Sequence, residues 1–200
     1  MTTADPFEPV VAALGRPAVQ SSDFDLTPSV RLPEGRKLRP AAVLVPLLQT
    51  DHGLRLYLTK RASHLKHHPG QIAFPGGKRD DTDESLEAAA LREAHEEIGL
   101  DPGNVDILGR LAPHETVTGF TVMPFVARLR GPFEPVPEAG EVEEVFDVPF
   151  AHLCDTSRYR VEARRWRGEW RRYYAVPYGP YYIWGATARI LRGLAELVRS

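Results

Sequence analysis

The chain has 200 residues, 42% of them hydrophobic, with a formal net charge of −2 and a sequence pI of about 6.4. That length and composition fit one domain with a full core, and the near-neutral charge excludes electrostatic capture of duplex nucleic acid. A single cysteine, Cys154, excludes an intrachain disulfide framework and a cysteine-based zinc site, and reads as a buried small residue.

In chain order, Asp5 and Glu8 precede any basic residue, unlike the start of a secretory signal. A short helical pattern at residues 10–14 is followed by a Pro/Ser/Asp-containing connection through Pro33-Glu34-Gly35. Residues 1–37 are therefore expected to form an extension packed on a main domain at 38–200. The first strong strand is 41–48, an apolar run suited to a sheet interior. Asp51-His52-Gly53 turns it, and 54–59 alternates as its hairpin partner, with Leu54, Leu56 and Leu58 on one face. Residues 71–74 form a short strand. Further strands are expected at 105–111, 120–129 and 142–148. Residues 158–166 and 170–176 then pair around Arg167-Gly168-Glu169, and a closing helix spans 187–198. The longest uncharged run, 173–188, has 16 residues broken by Pro177, Gly179, Pro180 and Gly185, too short and too interrupted to span a bilayer. A soluble, cytoplasmic protein is expected.

Between the third and fourth strands, residues 84–98 read as a helix. Ala88, Ala89 and Ala90 favour it, acidic residues open it, and Gly99 stands just past its end. At about 100° per residue, Glu93, Glu96 and Glu97 fall within an arc of roughly 100°, beside an apolar stripe of Leu91, Ala94 and Ile98. A solvated acidic face is the ordinary meaning of such a pattern. Two features argue otherwise: like charges at i, i+3 and i+4 repel with no lysine in the helix to offset them, and Pro75-Gly76-Gly77 sets a permissive loop just ahead. Hard oxygen ligands beside a loop able to approach a phosphate suit Mg²⁺ or Mn²⁺ and a polyphosphate.

The stretch resembles the Nudix box, Gly-x5-Glu-x7-Arg-Glu-U-x-Glu-Glu-x-Gly-U, with U a bulky aliphatic residue. Glu84 and, after seven intervening residues, Arg92-Glu93-Ala94-His95-Glu96-Glu97-Ile98-Gly99-Leu100 match in order, although Ala94 is small for its place. Six residues, not five, separate Gly77 from Glu84, an extra residue typical of the coenzyme A pyrophosphatase branch. Upstream, Leu58-Thr59-Lys60-Arg61-Ala62, Lys66, Gly70 and Phe74-Pro75-Gly76-Gly77 are similar to that branch's second signature, Leu-Leu-Thr-x-Arg-Ser/Ala-x3-Arg-x3-Gly-x3-Phe-Pro-Gly-Gly. Tyr57 replaces the first leucine, and Lys66 stands where the pattern has arginine, keeping the charge but losing the bidentate fork.

The resemblance implies an α/β/α sandwich with a mixed sheet between helices. It implies hydrolysis of the pyrophosphate link in coenzyme A or its derivatives, giving 3′,5′-ADP and 4′-phosphopantetheine. Glu93, Glu96 and Glu97 would hold Mg²⁺ or Mn²⁺, and Arg92 would orient them. The general base would be one of these glutamates, or Glu141 or Glu144 in the Pro/Gly-rich approach to a later strand. For that last pair a surface acidic loop is the slightly favoured reading. Gly76 and Gly77 would fix the loop against the helix, while Lys60, Arg61 and Lys66 form a basic run facing substrate phosphates. Arg61 has a plainer role open to it, pairing with a box carboxylate. His95 and His114 read as isolated non-ligands, and Trp184 as core under the last helix. The partners expected are a small-molecule substrate and neither nucleic acid nor membrane. Another nucleoside-diphosphate-X hydrolase, such as an ADP-ribose pyrophosphatase, would share the box without needing the upstream signature. A non-catalytic nucleotide-sensing module would have no need of the intact carboxylates.

Overall fold

The computed structural model describes residues 5–30, 35–66, 68–166 and 168–199, with Trp166 described by its backbone alone. Pro33 and Glu34 of the expected connection, His67 of the basic run and Arg167 of the expected hairpin turn lie outside the described residues. The elements begin with α1 (Glu8–Leu14), β1 (Ser21–Ser22), β2 (Arg39–Thr50), β3 (Gly53–Arg61), β4 (Ile72–Ala73) and β5 (Gly76–Lys78). The acidic helix is α2 (Leu86–Ile98), followed by β6 (Val105–Arg110), β7 (His114–Glu115), β8 (Phe120–Leu129) and β9 (Val142–Pro149). Then come α3 (Phe150–Cys154), β10 (Arg160–Trp166), β11 (Glu169–Ala175) and α4 (Ala186–Arg199).

Strand β2 organises the sheet. It runs parallel to β8 and antiparallel to β3 and β5. The full order is β1-β7-β8-β2-β3-β4, with β6 added to β8 and β9 to β3, while β10 and β11 form a separate antiparallel hairpin. The apolar run in β2 follows from burial on both faces. Ala42, Leu44 and Leu48 pack in the layer that holds α2, and Val45 and Leu47 in the layer that holds α1, α3 and α4. Successive side chains of a strand point to opposite faces, so one strand feeds two cores. Leu56 and Leu58 of β3 join the second layer as the alternation predicts. Helices on both faces of a mixed sheet make an α/β/α sandwich.

Helix α2 starts two residues later than the sequence suggests. Ser85 is extended (φ −151°) and its side chain accepts the Ala88 N–H, so it caps the helix and leaves Glu84 outside. Gly99, at φ 69°, closes the other end in the left-handed conformation. The buried face differs too: Ala89, Ala90, Ala94 and Ile98 are buried, and Leu91 only partly. Alanines here do more than favour helix; their small size lets α2 lie close on β2 and β5.

Four elements had no periodic signal long enough to be read. β1, β5 and β7 have two or three residues each, and α3 has five. Yet α3 buries Phe150 and Leu153, and β1 pairs with β7 in parallel. Helix α1 packs on α4, with Phe7 and Val10 inside the core. Cys154 is partly buried against the same layer. No helix among the described residues is long and apolar enough to cross a membrane.

Candidate active site

The site forms where α2 crosses β5. Backbone pairing sets Gly76 opposite Val43 and Gly77 opposite Ala42 of β2. Gly76 has φ +149°, and a Cβ there would stand 2.4 Å from the Ala42 carbonyl oxygen. At Gly77 a Cβ would stand 2.5 Å from the Glu93 carboxyl group. Two residues without side chains thus let the α2 carboxylates reach the strand backbone. The Gly76 N–H donates to Glu97 Oε2 at 3.0 Å.

Three glutamates on one helix end up in three environments. Glu97 is 5% exposed. Burial pushes its carboxyl up to about 7; the Gly76 N–H and the Arg61 charge oppose the rise, and Glu93 and Glu141 add to it. Glu93 is also raised, first by burial and then by Glu96 and Glu141, against the pull of Arg92. The Glu96 side chain is 57% exposed and ion-paired with Arg92.

Arg92 organises the outer rim. Its Nε and Nη2 donate to the two oxygens of Asp83 at 2.9 and 3.0 Å, a bidentate fork. Its Nη1 lies 2.9 Å from Glu96 Oε2 and 3.0 Å from Glu93 Oε1. The hydrogen bond to Asp83 raises the Arg92 pKa further and holds the Asp83 carboxyl below its usual range. Asp83 is a site residue the motif does not specify. Its only sequence signal is an acid just ahead of the helix cap.

Among the described residues no three acidic, histidine or cysteine side chains converge as a finished metal cage. Arg92 draws Glu93 and Glu96 outward while Glu97 turns to Gly76. The donor set nonetheless fits a hard divalent cation. Glu93 and Glu97 are pushed toward neutrality by burial and by nearby carboxylates, Glu96 and Glu141 for the first and Glu93 and Glu141 for the second, and a doubly positive ion would offset both effects.

The fold brings Arg61 and Glu141 to this group, since their charges act on Glu97. Other predicted residues stand elsewhere. Lys60 Nζ lies 2.6 Å from Glu143 Oε1. Lys66 is exposed, and Glu144 accepts the Tyr181 hydroxyl. His95 is exposed on α2. His114 is far from isolated: it is fully buried, with Nδ1 2.9 Å from Ser21 Oγ and Nε2 3.4 Å from Asp23 Oδ1.

A cleft leads away from Gly76. Its inner recess, about 210 Å³, shares His68, Gln71, Val117, Thr118, Arg171 and Trp184 with an outer recess of about 770 Å³. Trp184 is therefore a cleft wall; its neighbour Ile183, at 0% exposed, is the core residue. Under the cleft, Asp23 accepts the Val117 N–H at 2.8 Å and pairs with Arg171 at 3.4 Å. Burial raises the Asp23 carboxyl, but His114, Val117 and Arg171 together hold it below its usual range. A separate cavity of about 350 Å³ between residues 17–21 and α4 touches none of the α2 carboxylates.

Comparisons with known proteins give the chain its family. A family model for the NUDIX domain matches residues 37–170. The protein named "Uncharacterized Nudix hydrolase NudL" in Enterobacter sp. (strain 638) is 46% identical over 157 residues, covering 78% of this chain and 81% of the relative. Its namesake in Escherichia coli (strain SMS-3-5 / SECEC) is 42% identical over the same shares. The solved Nudix hydrolase RenU of M. smegmatis is 27% identical with a TM-score of 0.46, covering 58% of this chain and 74% of that one. With the glycine strand, the arginine fork and the carboxylate helix assembled as described, the chain belongs to the Nudix hydrolase family.

Proposed function

We propose that the protein hydrolyses the diphosphate link of coenzyme A or its derivatives to 3′,5′-ADP and 4′-phosphopantetheine. Nudix hydrolases in general are metal-dependent enzymes acting on nucleoside diphosphates linked to another group, and that much comes with the family. The coenzyme A substrate is supported by one observation above the others. The upstream signature runs with unbroken spacing from Leu58 to Gly77 and joins a box with one extra residue before Glu84. Of those positions, residues 58–61 lie on β3 and Gly76 and Gly77 on β5, with the others in the connections between the strands ahead of α2.

In this reading Glu93, Glu96 and Glu97 hold Mg²⁺ or Mn²⁺, which when bound supplies the positive charge that stabilises the oxygens of the departing phosphate. The chain's own contribution is positioning. Gly76 holds the Glu97 carboxyl through its N–H, Gly77 leaves room for Glu93, and Arg92, itself fixed by Asp83, sets the remaining carboxylate oxygens. Glu141 is the acceptor we assign to the proton of the attacking water. It is exposed and its charge reaches both Glu93 and Glu97, whereas Glu144 is engaged by Tyr181.

The test is a kinetic comparison of coenzyme A, its thioesters and disulfide, and ADP-ribose at fixed metal and ionic strength, with products identified by mass. kcat/KM is expected to be highest for a coenzyme A form. ADP-ribose turned over better than every one of them would sink the substrate assignment and leave the Nudix chemistry standing.

A further inference from the structure

The β10–β11 hairpin brings two of its arginines to the cleft, Arg164 and Arg171, and diphosphate hydrolysis uses neither. Register sets Arg164 directly opposite Arg171, and both line the outer recess of the cleft. Like charges directly opposed on antiparallel strands destabilise the pair. The Arg164 guanidinium lies 4.9 Å from the centre of the Trp184 ring, and among the described residues no carboxylate pairs with it. Arg171 is 4% exposed. Its Nη1 meets Asp23 at 3.4 Å, but its Nε is buried with no acceptor. A buried N–H left unpaired costs free energy that an arriving acceptor recovers.

The carboxylates around these arginines are already engaged. Asp23 is held by His114, Val117 and Arg171, Glu144 by Tyr181 and Glu162 by Tyr182. Lys60, on the same wall, is neutralised by Glu143. What remains toward the cleft is a guanidinium with no carboxylate partner, opposite a second whose Nε lacks one. The guanidinium fork matches the oxygens of a phosphate better than any other common side chain. A recess of about 770 Å³ has room for half a dinucleotide-sized ligand.

We propose that Arg164 and Arg171 clamp a phosphate monoester that the substrate carries away from its scissile diphosphate. On the coenzyme A reading, on which this identification rests, that group is the 3′-phosphate of the nucleotide half. Lys60, Arg61 and Lys66 are less well placed to hold it, since Lys60 is paired, Arg61 acts on Glu97, and Lys66 is exposed outside the cleft lining.

The experiment is calorimetric titration of the full chain with 3′,5′-ADP and with 5′-AMP, which differ by that phosphate alone. The wild type is expected to bind 3′,5′-ADP at least about tenfold more tightly. Arg164→Gln, on an exposed position, should reduce the preference to about threefold or less, leaving AMP affinity unchanged and the melting temperature no lower. Arg171→Lys keeps the charge opposite Asp23 but removes the Nε donor, and should lose part of the preference. Equal wild-type affinities for the two nucleotides would overturn the clamp, as would a preference surviving in both variants. If 3′,5′-ADP binds preferentially while ADP-ribose is the better substrate, the clamp stands and the coenzyme A assignment falls.

Discussion

Glu97→Gln is the sharpest test of how the site stores charge. The Glu97 carboxyl is 5% exposed and accepts the Gly76 N–H at 3.0 Å. Moving its pKa from 4.5 to about 7 makes ionisation about 3 kcal/mol harder in the folded protein than in the unfolded chain. The sign follows from proton counting: between about pH 4.5 and 7 the folded state holds a proton that the unfolded state has released. Stability of the metal-free protein therefore falls as pH rises through that window and is level above it. Glutamine keeps an acceptor for Gly76 but cannot ionise. In chelator at pH 8 the variant should melt higher than wild type by several degrees, on the order of 6–12 °C for a chain of this size, and the difference should shrink toward zero at pH 4. Mg²⁺ should raise the wild-type melting temperature more than the variant's, and the variant's turnover should drop by about two orders of magnitude or more. Equal melting at pH 8, or turnover close to wild type, would refute the reasoning.

Gly77→Ala should abolish most activity, because its methyl group would stand 2.5 Å from the Glu93 carboxyl; circular dichroism melts should move little, since that side-chain end can swing away. Gly76→Ala should instead destabilise the fold by several kcal/mol, on the order of 2–4, because the clash is with backbone at Ala42 and Val43. Asp83→Asn should lower kcat about tenfold with little change in KM, and cost about 1–3 kcal/mol in denaturant unfolding, as Arg92 loses its bidentate partner. Asp83→Glu should restore part of both if the role is to position Arg92.

Much of the fold was legible because its longer elements obey a period. The β2 run, the β3 alternation and the α2 arc each advertise their faces, and the structure keeps all three within two or three residues of the expected ends. The site was legible only as a set of residue types. Glu96 and Glu97 are adjacent and chemically identical, yet one side chain is 57% exposed and the other residue 5%. What separates them is strand β5 passing over the helix, and Gly-Gly-Lys carries no side-chain pattern by which a strand is read. Backbone hydrogen bonds made that strand, and they leave no trace in composition. The three-residue turn expected at 167–169 would set Arg164 opposite Arg172; Glu169 instead belongs to β11 and pairs with Trp166, and that one-residue shift brings Arg171 opposite Arg164. Arg171's burial against Asp23 could not be read either, because it depends on a segment far away in the chain.

That segment bears on where the domain begins. Asp23 meets Arg171, His114 and Val117 across sequence separations of 148, 91 and 94 residues. Nearby, Asp25 holds Arg189 at 2.7 Å and Thr27 accepts the Arg172 N–H at 2.9 Å. Contacts so distant in sequence close large loops at an entropic cost, so the hairpin is tied down by residues far from it in the chain. A fragment cut at residue 37, where the family match starts, would retain the catalytic helix and its central strand. It would strip Arg171 of its counter-charge and the Arg172 N–H of its acceptor. A fragment starting at residue 37 is therefore expected to melt lower than one reaching back to Ser21.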